Sequence, residues 1–136
     1  MALPKLNETP KYSLTVPSTG KELRYRPYLV KEEKILLMAS SSEDPKQIMN
    51  AVHDTIAACV EDIDIRSLTT FDLEYIFIQL RSKSTGETSE ILIRCPKCES
   101  QQKVTIPLNE IAVTETNVNP VIKISDNVTV VMKYPS

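Results

Sequence analysis

The chain has no tryptophan, one histidine, two glycines and three cysteines in 136 residues. Each scarcity removes a class of function. A phosphate-cradling loop needs closely spaced glycines, and Gly20 and Gly86 are too far apart to write one. Any Ser-His-Asp or Cys-His arrangement would have to run through His53, whose helical neighbours Met49, Asn50 and Ala57 offer no nucleophile. His53 is therefore read as a helix-surface residue. An odd cysteine count excludes a complete disulfide framework and fits a reducing compartment. The apolar runs fall short of the roughly 20 residues that cross a bilayer. Met1 to Pro10 lacks the apolar core of a secretory signal, so the expected site of synthesis and residence is a cytoplasm. Sixteen basic against eighteen acidic residues give a net charge of -2. They are scattered rather than clustered, which argues against nucleic acid and against an anionic membrane surface as partners.

What is present is an ordinary globular composition, 41% hydrophobic and 25% charged, which argues against wholesale disorder. With nine prolines and so few glycines, turns that need positive φ fall mostly to Asn or Asp. Residues 1–10, with Pro4 and Pro10, read as an extended arm, and 11–136 as a single α+β domain. Alternation over Tyr12 to Val16 and Lys21 to Tyr28, around Ser18-Thr19-Gly20, predicts a hairpin. Leu29 to Ser40 has helical composition. Asp44-Pro45 is a helix start, with Asp as cap and Pro at the first position. Ile48, Val52, Ile56, Cys59, Val60 and Ile63 then form one apolar stripe. A third helix starts at Thr69 or Thr70 and runs to about Lys83. Its stretch Phe71 to Leu80 is apolar on nearly every side, so it is either central or covered by a partner. Two further hairpins follow, one around Cys95–Cys98 and one turning at Asp126-Asn127. The expected fold class is α+β, about three helices packed with two or three antiparallel β-hairpins.

Cys95-Pro96-Lys97-Cys98 carries the one hint of site chemistry. Two thiolates on a tight turn can face one tetrahedral ion, as in a zinc-ribbon knuckle, but a structural site needs four ligands. His53 and Cys59, six positions apart on one helix, differ by about 120° and roughly 9 Å, so they cannot pinch one zinc together. Glu99 stands where such knuckles commonly have glycine. The reading is therefore no cofactor, with zinc at Cys95 and Cys98 as an alternative, the fourfold set completed within the chain or by a second chain. A thiol-redox role normally places the motif at the start of a helix, and strands flank it here. Cys59 lies on the apolar stripe and reads as a small buried hydrophobe. Glu61-Asp62-Ile63-Asp64 lacks the spacing of a calcium loop and reads as a solvated helix end. Lys31-Glu32-Glu33-Lys34 reads as normal helix-end electrostatics. No constellation supports an enzyme.

Several segments, in order, carry a resemblance. They are Lys11-Tyr12-Ser13-Leu14-Thr15-Val16-Pro17-Ser18-Thr19-Gly20, then Tyr25-Arg26-Pro27-Tyr28-Leu29 through Ala39, then Ile63-Asp64-Ile65 with Leu68-Thr69. Phe71-Asp72-Leu73-Glu74, Leu80 to Ser84, the Cys95–Cys98 hairpin and Met132-Lys133-Tyr134-Pro135 follow. In this order they resemble the baseplate-hub assembly proteins of T4-like bacteriophages. The resemblance implies a tail-assembly component, structural or chaperone-like, that works by protein–protein contact with other baseplate-hub or tape-measure proteins. It would act in the host cytoplasm during assembly or within the virion tail baseplate, and a homo-oligomer is compatible with the sequence. The resemblance also implies a further helical segment after Ser136. The residues expected at the partner interface are Phe71, Tyr75 and Ile78, with Tyr28 and Leu36 nearby, because aromatic anchors dominate such contacts. The alternatives are a zinc-ribbon-like adaptor using Cys95 and Cys98, and a small thiol-redox protein.

Overall fold

A computed structural model describes residues 9–114 and 118–135. Most of the expected N-terminal arm, residues 1–8, lies outside the described residues. In chain order the elements are β1 (Tyr12–Thr15), β2 (Glu22–Tyr25), α1 (Val30–Ser41), α2 (Pro45–Cys59) and α3 (Thr70–Thr85). Four strands follow: β3 (Thr88–Arg94), β4 (Gln101–Pro107), β5 (Val121–Ser125) and β6 (Val128–Val131). Short 3-10 turns lie at Ile65–Ser67 and Leu108–Glu110. The architecture is α+β as expected, with three helices and three separate two-stranded antiparallel sheets among the described residues.

The β1–β2 hairpin turns through Gly20 at φ +68, a conformation that costs glycine nothing. Its register sets Leu14 against Leu23 and Tyr12 against Tyr25. Leu14, Leu23 and Tyr25 thereby point into the core with Val16, while Ser13, Thr15, Glu22 and Arg24 face out. α2 begins as its sequence dictates: the Asp44 carboxylate accepts from the Lys46 N–H at 3.0 Å, and Pro45 takes the first helical position. The helix ends at Cys59, earlier than the apolar stripe continues. Val60 leaves the helix to bridge to Tyr25, and Arg26 N–H donates to Cys59 O at 3.0 Å. A short extended segment after α2 thus extends the first sheet.

α3 is the central element. Ile76 and Leu80 are fully buried beside Val16 and Ile56, and Leu73 and Phe77 pack on the same cluster from its flank. A helix that is apolar all round is satisfied when neighbours reach it from several directions, and α3 meets the first hairpin, α2 and the Leu108 turn. The most exposed apolar residues lie elsewhere. On α1, Val30, Leu37 and Met38 are 79%, 63% and 64% exposed. Nearly every residue of β3 and β4, and every residue of β5 and β6, is exposed. β5 and β6 stand clear of the core but are tied back at their end. Thr70 N–H donates to Pro135 O at 3.1 Å, and the Tyr134 ring meets Phe71 edge-on at 5.0 Å.

Among the described residues the positive-φ positions outside glycine are Glu43, Asp62 and Glu99. Asn and Asp had been expected to take this role, yet two of the three are glutamates. Each closes a tight turn whose neighbours fix the backbone, so the modest left-handed cost is absorbed locally.

Candidate functional site

Two polar knots hold the core elements together. The first centres on Asp72, third residue of α3 and fully buried. Thr69 caps the helix by accepting from Asp72 N–H, and the Asp72 carboxylate accepts in return from Thr69 N–H at 3.1 Å and Thr69 Oγ1 at 2.6 Å. The same carboxylate accepts from Ser18 N–H at 3.0 Å and from the Ser18 hydroxyl, 54 positions earlier in the chain. Burial alone would raise its pKa, but the hydrogen bonds from Ser18 and Thr69 outweigh it and hold the carboxyl below its ordinary value.

The second knot is Arg26 with Glu32. Glu32, third residue of α1, is buried and accepts from Leu29 N–H at 2.9 Å and from Arg26 Nη2 at 3.1 Å. The same guanidinium donates to Pro27 O and to Ala58 O near the end of α2. Burial opposes the charge of Glu32, while the Leu29 and Arg26 hydrogen bonds hold its pKa down. The Lys31-Glu32-Glu33-Lys34 run had been read as normal helix-end electrostatics, and Glu32 and Glu33 do lie in the first turn of α1. Glu32 is in addition enclosed, because Arg26 reaches it from the preceding loop. The Tyr25–Ala39 segment is therefore distinctive for a physical reason. Tyr25 is core, Arg26 joins the starts and ends of two helices, and Tyr28 N–H donates to Ser84 Oγ on α3 at 3.0 Å.

Beside the Asp72 knot lies a cavity of about 600 Å³, lined by Val16, Pro17, Ser18, Phe71, Tyr75 and Tyr134 among others. The structure thus brings together two of the expected interface residues, Phe71 and Tyr75, both half-buried. Ile78 is half-buried and lies outside that lining. Tyr28 does not sit near them. It packs beside Ser84 and Thr85 at the far end of α3, roughly 20 Å along the helix from Phe71. Leu36 lies on α1, half-buried, next to the exposed Leu37 and Met38. A second, more apolar groove of about 380 Å³ runs between α2 and α3, lined by Ile48, Met49, Val52, Leu73 and Phe77. Sequence reasoning missed this groove because Ile48 and Val52 fell on the same stripe as the core residues Ile56 and Cys59.

The cysteine knuckle caps the β3–β4 hairpin. Cys95 N–H donates to Ser100 O and Glu99 N–H donates to Cys95 O, each at 2.9 Å. Glu99, at φ +56, takes the left-handed position after the second cysteine, and its carboxylate pairs with Arg94 at 2.8 Å. Cys98 is exposed, its Sγ lies 3.0 Å from Ser100 Oγ, and the Ser100 hydrogen bonds draw its thiol pKa down. Among the described residues no cluster of three or more His, Cys, Asp or Glu could hold a metal ion within the chain. Cys59 is buried in the core, where desolvation pushes its thiol up. His53 departs from the expected surface position: it is half-buried, and its Nε2 is enclosed without a hydrogen-bond partner among the described residues.

The Glu61–Asp64 run is structural. Glu61 pairs with Lys11, Asp62 O accepts from Lys21 Nζ at 3.1 Å, and Asp64 caps the 3-10 turn through Arg66 N–H at 3.1 Å. Among the described residues no helix is long and apolar enough to cross a membrane.

A family model described as T4 bacteriophage base plate protein matches residues 9–136. No curated protein and no solved structure matches the chain.

Proposed function

The chain belongs to the T4 bacteriophage base plate protein family, and from that premise we propose that it is an assembly component of the baseplate hub. It works by contact with other baseplate-hub or tape-measure proteins, in the host cytoplasm during tail construction, as a scaffold or chaperone rather than as an enzyme. The observation that carries the reading is the aromatic-lined cavity at the start of α3. There Phe71 and Tyr75 stand half-open beside the buried Asp72 knot, on the central helix of the fold. Ordered aromatic side chains on a fixed scaffold make efficient anchors, because little side-chain freedom is left to lose on binding. Ile78 continues this helix, while Tyr28 and Leu36 supply a second contact, separate from the first, next to the exposed face of α1.

The test is capture of tagged full-length chain from phage-infected cells, with the bound proteins identified by mass spectrometry. Wild type retains hub or tape-measure proteins. Tyr75→Asp loses them while keeping its thermal melt, and Leu37→Asp, at a position too exposed to threaten folding, reports on the α1 contact. Capture of no baseplate protein by the wild type overturns the reading. So does undiminished capture by both variants.

A further inference from the structure

We propose that Cys95 and Cys98 are half of a zinc site that a second copy of this chain completes, two hairpin tips meeting around one tetrahedral ion bound by four thiolates. The half-site is built in this chain. The hydrogen bonds from Cys95 N–H to Ser100 O and from Glu99 N–H to Cys95 O close the loop that carries the two cysteines. The left-handed turn at Glu99 folds the chain back there, so Cys95 and Cys98 sit three positions apart on one tight turn. Neither is in a disulfide. Ser100 Oγ, 3.0 Å from Cys98 Sγ, can donate to the thiolate and fix its direction, the part played by groups just outside a metal's ligand set.

Two thiols do not make a structural zinc site, which takes four ligands. The described residues of the chain hold no further ligand group beside the knuckle: Cys59 is sealed in the core and His53 sits on α2. A second copy supplies an identical chelating pair under two-fold symmetry, so one surface patch meets itself.

The hairpin that carries the knuckle favours this occupant. Among the described residues β3 and β4 pair only with each other, and Ile91, Ile93 and Val104, which share one face of the hairpin, are 39%, 50% and 37% exposed. A lone two-stranded hairpin is marginally stable in water, and covering its apolar residues against a symmetry mate removes that weakness. Lys97, between the two cysteines, brings one positive charge per chain toward a centre that carries a double negative charge with zinc bound. Binding releases the thiol protons to solvent, up to four per zinc, and oxidises nothing.

The experiment titrates reduced, metal-free, full-length chain with zinc alone in oxygen-free buffer. Mass is followed by sedimentation velocity and bound metal by elemental analysis. The expected result is one zinc per two chains, with a monomer that becomes a dimer as zinc is added and reverts with chelator. Cobalt in place of zinc should give the intense visible absorption of a tetrahedral thiolate site in the wild-type chain. Cys95→Ser and Cys98→Ser should each abolish metal-driven dimerisation with unchanged helical circular dichroism, since the knuckle lies outside the core. Absence of zinc binding by the reduced chain overturns the proposal. One zinc per monomer does the same, as does a dimer that forms equally well without metal.

Discussion

Replacing Asp72 by Asn tests whether the carboxylate, rather than the helix cap alone, fastens the first hairpin to α3. The folded protein gives this group four donors, two from Ser18 and two from Thr69, with no exposure to water. Hydrogen bonds to a charged group contribute about 1.5–3 kcal/mol each when measured singly, and donors left buried without a partner cost about 1–3 kcal/mol. The amide keeps one acceptor oxygen but loses the charge and turns an N–H₂ toward donors, so Asp72→Asn should cost about 2–4 kcal/mol. Alanine, leaving every donor bare, should cost about 1 kcal/mol more.

The pH dependence gives a second signature. The folded pKa lies below the ordinary value of 3.8, so the stability that Asp72 contributes is complete well above that value. It drains away as pH falls through the depressed folded value. Urea denaturation followed by circular dichroism, repeated from neutral pH down the acid limb, should show the wild type losing its advantage over Asp72→Asn as the pH drops. Glu32 also contributes to the acid limb of both proteins, so the diagnostic quantity is the difference between them. Equal midpoints at neutral pH, or a difference that does not shrink in acid, would refute the argument.

Three further outcomes follow from the packing. Arg26→Met should destabilise by about 3 kcal/mol in thermal or urea melts, because Glu32 stays buried with its main countercharge removed. Ile76→Ala should cost about 2–5 kcal/mol as a fully buried position, while Ile78→Ala two residues on should cost about 1 kcal/mol or less. A reagent that consumes free thiols should react promptly with Cys95 and Cys98 in the native metal-free protein and with Cys59 only after denaturation. Burial both shields the Cys59 thiol and raises its pKa, whereas hydrogen bonds from Ser100 lower that of Cys98. Prompt modification of Cys59 would show that the core opens more readily than its packing implies.

The parts of this fold that sequence made legible are those decided within a few residues. Asp44-Pro45 announces α2, the third helix opens at Thr69 or Thr70 as expected, and Asp126-Asn127 places the turn between β5 and β6. Alternation predicted the first hairpin, and the structure turns Leu14 and Leu23 to its inward face. What stayed hidden depends on partners distant in the chain. Nothing near Asp72 points to Ser18, and nothing in the Lys31–Lys34 run marks Glu32 as the one acid that Arg26 will reach. For the same reason Tyr28 was grouped with Phe71, although the structure sends them to opposite ends of α3. The apolar girth of α3 read equally well as core or as interface. Three-dimensional neighbours decide it position by position: Ile76 and Leu80 inward, Phe71 and Tyr75 beside a cavity.

Because the three sheets stay separate among the described residues, local hairpins and long-range contacts should form at different rates. β3–β4 and β5–β6 join strands that adjoin in sequence, so they close with short loops on the microsecond scale of isolated hairpins. The bond between Ser18 and Asp72 must wait for a far longer segment to be drawn together, and that closure carries the larger entropic cost. On a ribosome the order is forced further, since Ser18 emerges long before its acceptor. The core therefore locks only once α3 is out. The later hairpins emerge after the first hairpin, α2 and α3, and the Leu108 turn and the contact of Tyr134 with Phe71 close last.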